Sequence, residues 1–337
     1  MFHSVQKRFV KVLSAAAISA LMLTGCSGGN ADNADSSAAP SGSPSATASV
    51  QKKKLGSLDD VKVSDNFGEK PTVEGIDYPV EVEETMSKVI VEGDGAEVPN
   101  DNATVEVHYM GINGTTGETF DDSYNRGSST YFPLDGVIKG FQKGLVGKKE
   151  GSRVLIAAAS SDGYDPMGMP QAKINPGDTL FFVVDVVRTE QPAVSGKMSS
   201  PAGFPKVSDQ DGKPVIDIAG VAAPKEAASA VLVEGKGRAL ADGDILKSHS
   251  VCTTWDGKQY YSDFGNKAVI DAKASQQKPL EPLWQQLVGK KEGSRVLVTL
   301  PGSVAYPKGN PNPPLEPNTS VACVVDILFT QPIPKQG

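Results

Sequence analysis

Eleven consecutive residues, Leu145-Val-Gly-Lys-Lys-Glu-Gly-Ser-Arg-Val-Leu155, recur unchanged as Leu287 to Leu297, 142 positions later. Val91-Glu-Gly-Asp-Gly95 returns as Val233-Glu-Gly-Lys-Gly237 at the same offset. Lys62-Val-Ser-Asp65 returns as Lys206-Val-Ser-Asp209, and Gln191-Pro192 as Gln331-Pro332. Identity of this length, in collinear order with the shorter matches, means two copies of one domain. The copies span 61–192 and 204–337, joined by a linker at 193–203. Each is long enough to bury a core of its own, so the arrangement is a tandem pair and not a solenoid.

The hydrophobic pattern of the first copy predicts mostly strands. Val105, Val107 and Tyr109 alternate with Glu106 and His108, as in a half-buried strand. Ser152 to Ala159 reads as another strand. Leu180 to Val187 is nearly continuous apolar sequence, which predicts a central strand covered on at least one face. Between them Ile138, Phe141 and Leu145 fall on one face of a short helix that Gly147 is placed to stop. Strands outnumber helix and no βαβ alternation appears. The class is α+β, an antiparallel sheet wrapped around one short helix in each copy.

The first 60 residues have a different character. Lys7, Arg8 and Lys11 precede an apolar run from Val12 to Leu23, too short to span a bilayer comfortably and suited to a signal-peptide core. The run ends in Leu23-Thr24-Gly25-Cys26, which resembles the lipobox of bacterial lipoproteins. That resemblance implies a signal peptide at 1–25, a diacylglyceryl thioether on Cys26, and a protein held at the cell membrane by lipid, facing away from the cytoplasm. Residues 26–60 are rich in Ser, Ala, Gly, Asp and Pro and end near Lys52-Lys53-Lys54. They read as a flexible tether with solvated lysines.

Several chemistries are excluded by what the chain lacks. Its histidines are His3, His108 and His249, and there is no HExxH, CxxC or His/Cys cluster to hold zinc. No GxGxxG opens a helix, and neither a P-loop nor a GxSxG elbow is present. The expected chemistry therefore uses no metal, no cofactor and no conventional nucleophile. The formal charge of -7, in a chain whose first 25 residues are basic, makes the body acidic and argues against nucleic acid as a partner.

The first copy nevertheless carries an ordered set of short motifs. They are Val107-His-Tyr-Met-Gly111, Gly117-Glu-Thr-Phe-Asp-Asp-Ser123, Val137-Ile-Lys-Gly-Phe141, Gly163-Tyr164, Ile174-Asn-Pro176 and Thr179-Leu-Phe-Phe182. Over about 100 residues they resemble the FKBP-type peptidyl-prolyl cis/trans isomerases. The resemblance implies catalysis of Xaa-Pro isomerisation in exported polypeptides and binding of the macrolide inhibitors of that family. By the same resemblance, Tyr109, Asp121, Ile138 and Tyr164 form the catalytic set. Asp121 faces the twisting carbonyl, while the Ile138 N–H and the Tyr164 hydroxyl donate to the peptide. Phe120, Phe132, Val137, Phe141, Ile174 and Phe182 wall the pocket, and Arg126 pairs with Asp121. Phe141 stands where the family usually has tryptophan.

Aligned through the shared anchors, the second copy keeps turns and strands and loses pocket residues. Ser250 replaces Tyr109, Tyr260 replaces Phe120, Tyr261 replaces Asp121, Leu283 replaces Phe141 and Cys323 replaces Phe182. Trp284 falls one position past the family's tryptophan site and is expected to point off the pocket. The alignment implies a kept fold with a degraded site, filled by Tyr260 or Tyr261 and inactive toward proline. Cys252 and Cys323 fall on strands that are neighbours in the family sheet, so a cross-strand disulfide competes with two buried thiols. A non-catalytic alternative also stands, in which the chain is a chaperone or scaffold that holds Pro-containing or unfolded segments.

Overall fold

The computed structural model describes residues 51–266, 268–272 and 281–333. The signal segment 1–25 and Cys26 lie outside the described residues.

The first repeat forms strands β1 (Met86–Val91), β2 (Thr104–Asn113), β3 (Thr119–Asp122) and β4 (Thr130–Pro133), helix α1 (Lys139–Leu145), then β5 (Arg153–Ala158) and β6 (Leu180–Thr189). Its antiparallel sheet runs β1-β5-β6-β2-β3, with β4 also pairing to β2. The second repeat gives β7 (Ala228–Val233), β8 (Ile245–Thr254), β9 (Gln259–Ser262), β10 (Val269–Ala272), α2 (Glu281–Leu287), β11 (Arg295–Leu300) and β12 (Val321–Gln331). Its sheet has the same order, β7-β11-β12-β8-β9, with β10 on β8. The apolar run from Leu180 is the central strand of the first sheet, and α1 ends where Gly147 turns left-handed.

Side chains alternate across that sheet. Val105, Val107, Tyr109, Ile156, Phe182 and Val184 face α1 in one core. Met110, Ile112, Leu155, Phe181 and Val183 face away into a second. That second core is closed by the chain before β1, where Leu58 is 5% exposed and Val61 2%. The expected tether is therefore too long at its C-terminal end. Lys53–Lys54 pair in parallel with Val80–Glu81, and the Leu55 N–H donates to the Glu81 carbonyl at 2.8 Å. Lys52 is also not simply solvated, since its Nζ lies 2.6 Å from the Gly177 carbonyl and 3.0 Å from Asp178. The physical reason is the two-faced sheet. Its outer apolar surface needs a cover, and a few leucines and valines in polar sequence suffice. The linker is likewise packed, with Val194 buried and the Ser199 N–H donating to the Leu232 carbonyl at 2.8 Å.

The repeated motifs turn out to hold one another. Ser152 Oγ accepts the Gly93 N–H at 2.9 Å, and Ser294 Oγ accepts that of Gly235 at 2.9 Å. A Cβ on Gly93 would sit 2.1 Å from the Glu150 carbonyl oxygen, so no other residue fits there. Arg153 and Asp185 form a fully buried bidentate pair at 2.6 and 2.8 Å, and Arg295 with Asp326 repeats it at 2.7 and 2.8 Å. Arg153 also reaches the Ser64 carbonyl at 2.8 Å, and Arg295 reaches Asp209 at 3.1 Å. The identical stretch is thus framework, and it brings in the short Lys62 and Lys206 repeats as partners.

Candidate functional site

Residues from β2, β3, β4, β6, α1 and three loops meet on the helix side of the first sheet. Gly111 on β2 pairs with Phe182 on β6, and Tyr109 with Val184. Phe141 on α1 sits among three rings, edge-on to Phe182 at 5.3 Å, Phe132 at 5.7 Å and Tyr109 at 6.2 Å between centroids. Phe120 meets Phe182 edge-on at 5.7 Å and lies over Gly111, where a Cβ would come within 2.6 Å of its ring. Such edge-to-face pairs contribute beyond their buried area and fix the ring planes. Val137, Ile138 and Tyr164 are half-buried at the margin, and Ile174 is buried.

One edge of this apolar cup is charged. The Tyr109 hydroxyl donates to Asp121 Oδ2, and Arg126 Nη1 donates to Asp121 Oδ1. Arg126 Nη2 donates to the Tyr109 hydroxyl at 3.0 Å. Burial, and then the hydrogen bond to Asp121, push the Tyr109 hydroxyl up to about 12, so it stays protonated at neutral pH. Burial and then the Asp121 charge raise Tyr164 as well. Among the described residues, the Ile138 N–H and the Tyr164 hydroxyl make no hydrogen bond within the chain. The cup thus presents two uncommitted donors, five aromatic walls and an ion pair at its lip. The structure gathers every pocket residue named from the sequence.

Three residues escaped the sequence reading. Met169 and Ala172 pack against the cluster from the loop before Ile174. Asp178 accepts the Asn175 N–H and the Asn113 side-chain amide, each at 2.9 Å, and so fixes the turn that delivers Ile174. The Asp in Asn-Pro-Gly-Asp was the available signal, since aspartate commonly accepts backbone N–H groups two or three residues away.

The corresponding region of the second repeat is different. Ser250 pairs with Val325, Cys252 with both Cys323 and Tyr261, in the register that Tyr109, Gly111, Phe182 and Asp121 keep in the first. Cys252 and Cys323 are joined by a disulfide across a Cα separation of 4.1 Å. A cavity of about 450 Å³ lies here, lined by Ser250, Cys252, Cys323 and Leu283 among others. Tyr260 enters it, edge-on to Tyr306 at 6.0 Å, but does not fill it, and Tyr261 is exposed. Trp284 is 6% exposed and lines the cavity, contrary to the expectation that it points away. Small residues at 250 and 323 leave room for an indole, and the largest apolar side chain of α2 takes it.

Both repeats match the family model of FKBP-type peptidyl-prolyl cis-trans isomerase, over residues 95–187 and 236–328, and the chain belongs to this family. Its similarity to the curated relatives covers about a third of the chain. It is 39% identical over 119 residues to the probable FK506-binding protein of Corynebacterium glutamicum, covering 35% of this chain and 98% of that one. It is 41% identical over 123 residues to the FK506-binding protein of Streptomyces anulatus, covering 35% and 96%. Among solved structures, FkpA from Escherichia coli matches 31% of this chain and 47% of its own, at 36% identity and a TM-score of 0.29.

Proposed function

We propose that the first repeat of this peptidyl-prolyl isomerase carries its catalysis, on Xaa-Pro bonds of exported polypeptides, from a lipid anchor at Cys26. The observation that carries the reading is the aromatic cluster in which Phe141 meets Tyr109, Phe132 and Phe182 edge-on, with Asp121 and Arg126 at its lip. Rotation about an Xaa-Pro bond is slow because it breaks amide resonance, a barrier of about 18–20 kcal/mol. Resonance loss makes the twisted carbonyl less polar than the planar one. A site that replaces water by aromatic carbon therefore favours the transition state over the ground state, with no covalent intermediate. The proline ring lies on Phe141, between Phe182 and Tyr109. Ile138 N–H and Tyr164 hydroxyl hold the peptide carbonyls, and Asp121, oriented by Tyr109 and Arg126, faces the carbonyl that turns.

The lipobox-like segment and the charge pattern before it support the membrane location. Peptide-isomerisation assays on the processed full chain test the activity, with a macrolide of the FKBP class as competitor. A folded chain with no rate above buffer overturns the reading. A Cys26→Ala chain that remains in the membrane fraction overturns the anchor.

A further inference from the structure

We propose that the cavity of the second repeat is a separate, non-isomerising site that binds an extended peptide through one large, uncharged apolar side chain, in preference to proline. The proposal does not depend on where catalysis resides, because it rests on side chains the first repeat lacks.

The cavity measures about 450 Å³, within the roughly 300–1,000 Å³ of small-ligand pockets. Its size follows from three exchanges in an otherwise equivalent sheet. Ser250 stands in the register of Tyr109 and Cys323 in that of Phe182, while Leu283 replaces Phe141 on the helix. The disulfide blocks a return to the first repeat's arrangement. Phe120 lies over Gly111 only because no Cβ is there, and Cys252 puts one in that place and ties it to Cys323. The aromatic at 260 is displaced toward Tyr306, with the two hydroxyls 3.4 Å apart. A proline ring held by three rings in the first repeat would rattle here, whereas a leucine, phenylalanine or tryptophan side chain has room and apolar walls in Leu246, Leu300 and Val325.

The polar chemistry selects against charge. Among the described residues that line the cavity, none is ionised at neutral pH. The lip that carries Asp121 in the first repeat carries Tyr261, so a charged side chain would meet no charged group among the described lining residues. Trp284 lines the cavity with its ring, its indole Nε1–H being buried away from solvent. The Asn312 side chain and the Tyr260–Tyr306 hydroxyl pair add further neutral groups. A neutral strand of peptide with one bulky apolar anchor matches this lining, and a phosphate, nucleotide or carboxylate does not.

The chain has two tryptophans, Trp255 and Trp284, so Trp255→Phe leaves a single reporter in the cavity wall. The probe is a blocked pentapeptide, acetyl-Ala-Ala-Xaa-Ala-Ala-amide, titrated into the full chain with Xaa varied. Saturable emission changes are expected for Leu, Phe and Trp-sized analogues without indole fluorescence, with affinity about tenfold or more above that for Pro or Ala, and none for Asp or Lys. Ser250→Tyr should abolish the change while the isomerase rate of the full chain is kept. The paired exchange Cys252→Gly with Cys323→Phe, which restores the first repeat's residues, gives the same test should Ser250→Tyr fail to fold. Equal affinity for Pro and Leu, no saturable change with any peptide, or an unchanged response in the folded wall-restoring variants overturns the proposal.

Discussion

The Arg188 guanidinium at the end of β6 lies 2.7 Å from the Glu292 carboxylate of the second repeat. Its Nε also holds Glu106 at 2.7 Å, and its plane sits 4.8 Å from the Phe329 ring centre. Nearby, Lys247 of the second repeat bonds Glu190 and the Asn102 carbonyl in a buried pocket of the first. Burial works against the Arg188 charge, but Glu292 and Glu106 more than offset it and raise its pKa. The repeats are therefore joined by ionic contacts that exist only when both are folded. Tyr131 stacks edge-on to Phe329 at 6.2 Å and neighbours the pocket residue Phe132, which places this junction one residue from the first site.

Removing one member of such a junction leaves the others desolvated and unpaired. Arg188→Met should lower the stability of the full chain by about 3 kcal/mol, since breaking a buried pair costs more than its net worth. The remaining 18% exposure of Arg188 puts the figure at the low end of that range. Urea unfolding should show one transition in the parent and two in the variant. A single unchanged transition would mean that the repeats do not depend on this contact.

The charged lip makes a prediction about rate. Asp121 orients through Tyr109 and Arg126, and all three approach one another on a half-exposed edge. Tyr109→Phe removes one donor to Asp121 and keeps the ring, so kcat/KM should fall about tenfold with little change in melting temperature. Asp121→Asn should fall further, because the ion pair to Arg126 goes too. Rates equal to the parent in both variants would show that the lip is only structural.

Asp178 gives the pH dependence. Burial raises its pKa, but the hydrogen bonds from Thr115, Asn113, the Asn175 N–H and Lys52 more than offset that, and the net direction is down. A carboxyl with a lower pKa in the folded chain contributes stability that is present above its unfolded value of about 3.9. That stability is lost as pH falls below it. The full chain should therefore lose melting temperature below about pH 4, and Asp178→Asn should be less stable at neutral pH with a flatter acid limb. An equally steep limb in the variant would assign the acid loss to other groups.

The tandem sheets were legible because their information is local. Alternation in Val105 to Tyr109, the apolar run from Leu180, and the duplicated Leu145 to Leu155 stretch each state their structure within a dozen residues. The pocket aromatics were legible through ordered motifs, not through any single ring. What escaped depends on partners far along the chain. Leu55 and Leu58 look like tether until the outer face of β5 and β6 is seen to need cover. Trp284 points inward because of small residues at 250 and 323, tens of residues away. Arg188 and Lys247 are ordinary surface charges until the other repeat is placed beside them. The lost aromatics of the second repeat imply a pocket filled by Tyr260 or Tyr261, whereas Tyr260 leaves a cavity beside it and Tyr261 is exposed.

The same comparison yields the sharpest test of the catalytic cup. The second repeat shows that this sheet folds with serine and cysteine in the registers of Tyr109 and Phe182. Moving those residues into the first repeat one at a time, as Tyr109→Ser and Phe182→Cys, should keep the fold and remove the medium. Each change deletes a ring that touches its neighbours edge-on, and Tyr109→Ser also takes a donor from Asp121. Losing a buried aromatic ring costs about 3–5 kcal/mol in stability, so the assay belongs at low temperature with the near-ultraviolet circular dichroism recorded in parallel. Water admitted to the cup stabilises the planar amide and restores the barrier. Each folded variant should show no more than a few per cent of the parental kcat/KM, on the order of 2 kcal/mol of lost transition-state stabilisation. Activity near the parental level in a folded Phe182→Cys chain would show that the apolar walls are not the source of the rate, and that the isomerisation site lies elsewhere in the chain.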